Sequence, residues 1–223
     1  MRKLKKEEIA TLENFLLEEY DAEIINTAPK TEKELLGAYQ FHADVLYQYV
    51  RSTVNHFMHA INNELRALLG HLSEYRVSET SPGKRDLEKA YGHFRRMNLD
   101  ALKILCDEFD KSLSKILRKQ CKYDYRDVRI NYLHDFGERY IVAKNLYIKA
   151  QQEERVGCDS HTHNIIALYH DAAKAYISLK RFYQDNKKET IKIQRKSVAK
   201  TIAVIVFALF GIAVSVIDLF FLS

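Results

Sequence analysis

A chain of 223 residues with 7 glycines and 2 prolines has too few turn residues for a sandwich or barrel, so an all-β fold is excluded. With 47% hydrophobic and 29% charged residues it is neither disordered nor collagen-like. Its net charge of +5 is a small excess of 35 basic over 30 acidic residues and does not call for a nucleic-acid partner.

The opening MRKLKKEE turns acidic at once and has no apolar stretch behind it, so a cleaved secretory signal is not expected. Ile9, Leu12, Leu16 and Tyr20 predict one short helix in residues 1–30, ending before Pro29, which disfavours helix at its predecessor. Thr31 and Glu34 then form a capping-box pattern. The stripe that follows reads Leu35, Tyr39, His42, Leu46, Val50, Val54, Phe57, Ile61, Leu65, Leu68 and Leu72, in steps of three and four. It predicts a single helix from Thr31 to Tyr75.

Ser78 to Lys84 is a loop, with Pro82 beside Gly83. The next helix carries Leu87, Tyr91, Phe94, Ala101, Leu105, Phe109, Leu113 and Ile116, and the pattern weakens around CKYDYRD. Leu133, Phe136, Tyr140, Ala143, Tyr147 and Ala150 mark a further helix to about Arg155, stopped by Gly157. Asp159 or Ser160 can cap the last, whose stripe is Ile165, Leu168, Ala172, Ala175, Leu179 and Phe182. Stripes this wide predict an all-α, elongated antiparallel helical bundle over residues 31–197.

Residues 198–223 have a different character. Thr201 to Ile217 holds no charge, and the 21 residues from Ile202 to Leu222 contain only Asp218. At ~1.5 Å per residue that length crosses a ~30 Å hydrocarbon core, so a single C-terminal transmembrane helix is expected. Lys192, Arg195, Lys196 and Lys200 flank it on the bundle side. The excess of lysine and arginine puts the bundle in the cytoplasm, at the inner membrane, where these side chains also attract anionic headgroups. Between Ser160 and Leu222 the only breaker is Gly211, so the last bundle helix should run unbroken into the lipid bilayer. Thr201, Ala208, Gly211, Ser215 and Asp218 recur in steps that place small and polar residues on one stripe. Such a stripe packs helices closely or lines a lumen, and predicts a homo-oligomer; an Asp218 at the far headgroup level is the alternative.

Catalytic signatures are sparse. Phosphate-binding glycine loops, HExxH, CxxC pairs and the nucleophile elbow are all missing from the sequence. Cys106, Cys121 and Cys158 are odd in number and read as reduced thiols. His56 and His59 share a helix face without a third ligand at a suitable spacing, and Cys158, His161 and His163 sit where capping residues are expected, so neither set is read as a metal site. No cofactor is expected.

Arg129 and His134, in RINYLH, are a pairing in which the imidazole moves a proton and the guanidinium steadies phosphate charge. Together with RDLEKAYGHFRRMNLDALK (Arg85 to Lys103), this stretch resembles the HEPN group of small helical-bundle proteins of prokaryotic defence and toxin systems. The likeness spans about Arg85 to Phe182, and Ile130 departs from the polar residue that follows the arginine in the group's ribonucleases. The resemblance implies a membrane-anchored effector or accessory protein of a bacterial antiviral system that oligomerises to perturb the membrane. It also implies an alternative, a membrane-bound ribonuclease using Arg129 and His134. A third reading is a non-catalytic tail-anchored adaptor that binds a protein through a face rich in Tyr and Arg. The trigger is left open between RNA, a nucleotide and a protein.

Overall fold

The computed structural model describes residues 4–54, 58–77, 83–120, 132–156 and 162–221, with side chains at the C-terminal end as far as Ala208. Every described element is helical. The N-terminal segment forms two helices where one was expected, α1 (Lys6–Glu18) and α2 (Ala22–Asn26). The α1 helix stops because the backbone N–H groups of Glu19 and Tyr20 both bond the Phe15 carbonyl. Asp21 then restarts the chain by accepting the Glu23 N–H at 2.7 Å. Leu16, Tyr20 and Ile25 sink into the same core as the later helices, so α1 and α2 pack as part of the bundle.

Thr31 caps α3 (Glu32–Ala38) as expected, accepting the Glu34 N–H at 3.2 Å. The Glu34 carboxylate reaches back to the Lys30 N–H at 2.7 Å. The single helix expected from Thr31 to Tyr75 does not form. A π turn at Tyr39–Ala43 first inserts an extra residue, the Asp44 N–H bonding the Tyr39 carbonyl five residues back. After α4 (Asp44–Thr53) the helix ends at Val54, whose backbone is extended (φ −100°, ψ 128°). The Ser52 and Thr53 hydroxyls both bond the Tyr49 carbonyl, and β-branched Thr53 and Val54 are poor helix residues, so the last turn has a local alternative to continuing. The chain resumes as α5 (His59–Val77).

Contacts with α6 (Gly83–Gln120) reveal what the break does. His42 and Phe94 line one pocket, and Tyr49 stacks obliquely on Phe109 at 6.4 Å, so α4 runs alongside α6 in the same direction. Glu64 meets His93 and His71 meets Asp86, so α5 runs the opposite way. The chain therefore reverses between Thr53 and His59, although the apolar rhythm of the sequence passes straight through.

Helix α7 (Tyr132–Val156) packs antiparallel to α8 (Thr162–Phe221), Phe136 against Tyr183 at one end and Tyr147 against Tyr169 at the other. The core is one cluster, with Leu16, Leu46, Ile61, Phe94, Leu102, Phe136, Tyr169 and Tyr176 fully buried. Each large apolar side chain so buried contributes roughly 1.5–3 kcal/mol. The expected stripes of α6, α7 and α8 fall on this core almost residue for residue. At 60 residues, α8 is far longer than its bundle contacts require. Among the described residues no helix is long and apolar enough to cross a membrane.

Candidate functional site

The residues singled out in the sequence scatter. Arg129 lies outside the described residues, as do His56, Cys121, Cys158 and His161, and the side chain of His163. His134, in the first turn of α7, has a 66% exposed side chain with Nε2 3.4 Å from a Glu138 carboxylate oxygen. Lys192, Arg195, Lys196 and Lys200 are exposed on α8, as are Thr201 and Ala208. The side chains of Gly211, Ser215 and Asp218 lie outside the described residues. The exposed tyrosine face of the adaptor reading is not found among the described residues, where every tyrosine is buried or half-buried.

Four of the tyrosines bond instead into ionic knots, one of them buried and two part-exposed. The Glu13 carboxylate, 5% exposed, accepts from the Tyr49 hydroxyl at 2.9 Å, Lys180 Nζ at 2.7 Å and Arg181 Nε at 3.3 Å. Burial pushes its pKa up, but Lys180, Tyr49 and Arg181 outweigh that and leave it below the ordinary carboxylate value. Asp110 accepts from the hydroxyls of Tyr140 at 2.8 Å and Tyr176 at 3.0 Å, with Lys144 Nζ at 3.7 Å. Glu154 accepts from Lys103 Nζ and the Tyr169 hydroxyl, both at 2.7 Å. The knots draw on α8 at Tyr169, Tyr176, Lys180 and Arg181, and the first three, spaced by seven and four, share one helix face. These knots are structural: each carboxylate is satisfied from within.

A second polar cluster sits between α5 and α6. His71 and His93 stack at 5.3 Å, Glu64 meets His93 Nδ1 at 2.7 Å and Arg96 Nε at 3.0 Å, and His71, Glu74 and Asp86 bring their ligand atoms within 4.8 Å of one another. The HxxE spacing of His71 and Glu74 was the available sequence signal. Lys89 Nζ, 3.3 Å from Asp86 Oδ1, already supplies positive charge there.

A cavity of about 440 Å³ lies between α2, α3, the π turn and α6. Its walls are largely apolar, from Ile24, Pro29, Leu35, Gly37, Ala38, Phe41 and Phe94, with His42 and Tyr91 among them. His42 is only 9% exposed, and its Nδ1 has no hydrogen-bond partner; the Tyr91 hydroxyl is buried and equally unpaired. Burial holds the His42 pKa below the ordinary histidine value despite the pull of Asp21, so the ring is neutral at pH 7. Behind it an aromatic chain leads to α8: His42 packs on Tyr20 at 5.9 Å, and Tyr20 on His170 at 4.6 Å. His170 Nε2 donates to the Leu16 carbonyl at 2.9 Å, and burial likewise depresses its pKa.

Those two histidines make stability pH-dependent. A base whose folded pKa is depressed contributes stability above its unfolded pKa, ~6.5, and loses it as pH falls from there toward the folded value. The melting temperature should therefore drop between pH 7.5 and pH 5.5, and His170→Gln should flatten the slope. An unchanged slope in that variant would remove His170 from the account.

Searches against protein-family models, curated proteins and solved structures found no match to this chain.

Proposed function

We propose that the protein is a membrane-tethered helical bundle, an effector or accessory protein of a bacterial antiviral system that oligomerises through its C-terminal helix to perturb the inner membrane. The observation that carries the tether is the far part of α8. There Ile202, Val204, Ile205, Val206 and Phe207 are all more than half exposed, Phe207 at 76%, within six consecutive positions. They go right round the helix, and apolar surface of that kind needs a partner or a lipid phase. Lys192, Arg195, Lys196 and Lys200 precede them, exposed, at the place where a membrane-entering helix carries headgroup-binding charge. The uncharged run continues in the sequence to Ile217, and the membrane-spanning length rests on that run. Support for the antiviral role is the HEPN-like stretch Arg85 to Lys103, and support for self-association is the small and polar stripe through Gly211 and Asp218.

Fractionation tests the tether. Wild-type protein should stay in the membrane pellet after an alkaline carbonate wash. Phe210→Lys with Val214→Lys, at about 2.5–3.5 kcal/mol for each charge near the centre of the span, should move it to the supernatant by a factor of several hundred or more. Retention in the pellet after deletion of residues 198–223 would overturn the tether. For the effector step, loss of membrane potential on induction should disappear in Gly211→Leu with Asp218→Leu. Toxicity that persists there but vanishes in His134→Ala would point to RNA cleavage.

A further inference from the structure

We infer that His71 and Glu74 of α5 and Asp86 of α6 form a binding site for one divalent transition-metal ion of the zinc class, which staples the two helices together. Nothing in the inference depends on the membrane reading. His71 and Glu74 stand three residues apart on one face of α5, and Asp86 comes from the first turn of the antiparallel α6. His71 Nδ1 lies 3.2 Å from Glu74 Oε2 and 4.0 Å from Asp86 Oδ1, and the three ligand atoms fall within 4.8 Å of one another. An ion ~2.1 Å from each ligand separates them by ~3.0 Å at a right angle and ~3.4 Å at a tetrahedral one. Side-chain movement of about 1 Å closes the set, and Glu74, 64% exposed, can supply most of it. The His71 and Asp86 side chains are 23% and 15% exposed, open enough for an ion to enter from water and sheltered enough to hold it.

The donor set selects the ion. An imidazole nitrogen with two carboxylates suits zinc and its neighbours, whereas calcium and magnesium take oxygen ligands throughout. Three protein ligands leave a further position for water, the open arrangement of reactive zinc sites. The imidazole plane is set beforehand: His71 stacks on His93 at 5.3 Å and 19°, and His93 Nδ1 is fixed by Glu64 at 2.7 Å. Charge agrees with this assignment, since the two carboxylates at His71 face one ammonium, Lys89 Nζ, 3.3 Å from Asp86 Oδ1. Lys89 is 44% exposed and pairs with Asp86 within one turn of its own helix, a kind of ion pair that holds weakly. A divalent ion neutralises both carboxylates where Lys89 offsets one, so it displaces the lysine into water.

The test titrates Zn²⁺ into the untagged full chain in detergent, by calorimetry and by melting temperature. Wild type should bind with a Kd below about 100 μM and, at a hundredfold excess over Kd, melt about 5–10 °C higher. His71→Ala should lose one equivalent of bound zinc. Glu74→Gln, at an exposed position, should melt like wild type without metal and yet bind about tenfold or more weakly, which separates ligation from folding. Lys89→Met should bind about two- to fivefold more tightly, because the competing ammonium is gone. The site is overturned if wild type takes up no zinc below about 100 μM, or if His71→Ala keeps the wild-type stoichiometry and affinity. Calcium or magnesium binding more tightly than zinc would overturn the imidazole as a ligand, and weaker binding by Lys89→Met would overturn the displacement of the lysine.

Discussion

Glu13→Ala should cost about 3–5 kcal/mol of folding stability, a large share of the 5–15 kcal/mol typical of a domain. The loss does not come from one ion pair. Removing the carboxylate leaves the Tyr49 hydroxyl, on a residue with no exposure, without its acceptor, and strands the Lys180 ammonium, whose side chain is 22% exposed. Lys180 can shift part of its charge toward water, but Tyr49 cannot follow. The triple variant Glu13→Ala, Tyr49→Phe, Lys180→Met should recover most of the loss, because replacing a buried ionic group and its buried partners with apolar side chains is close to neutral, and Arg181, 31% exposed, keeps Asn14 and water. Urea unfolding of the three proteins, with the midpoint and slope fitted together, measures it. A single-variant loss under about 1 kcal/mol would mean that Glu13 is wetter than its burial implies.

Phe136→Ala should be comparably severe, at about 3–5 kcal/mol. The ring has no exposure and packs on Tyr132 and Tyr183, each at 6.2 Å between centroids, so the space it leaves is walled by rigid aromatics that cannot collapse inward. Val142→Ala on the same helix, 57% exposed, should change stability by no more than about 0.5 kcal/mol. The comparison separates core packing from helix propensity, since both changes put alanine into α7. A similar small loss in both would show that the α7–α8 seam repacks.

What could be read from the sequence follows from which forces act locally. The stripes of α6, α7 and α8 were legible because each helix buries one continuous face, and Thr31 was legible as a cap because a cap is a three-residue event. The reversal at Val54 was hidden because Leu46, Val50, Val54 and Ile61 are all buried, and their steps of four and seven mimic one helix. Only the Ser52–Thr53–Val54 run hinted otherwise. Glu13 and Lys180 are 167 residues apart, and no local pattern announces such a pair. The cavity was missed for a similar reason: residues 24–42 supply one wall and Tyr91 and Phe94 the other, and an empty space has no periodicity.

The three knots on α8 also turn that helix into a lever. Tyr169, Tyr176 and Lys180 clamp a stretch of about 16 Å, while from Tyr183 to Phe221 the same helix extends on the order of 57 Å further at 1.5 Å per residue. A rigid-body rocking of about 1 Å across the clamp becomes about 3–4 Å at the tip, a third of a helix diameter. Repacking at His170, one residue from the first knot and in contact with the Tyr20–His42 chain, is thus geared up more than threefold by the time it reaches the far end of α8.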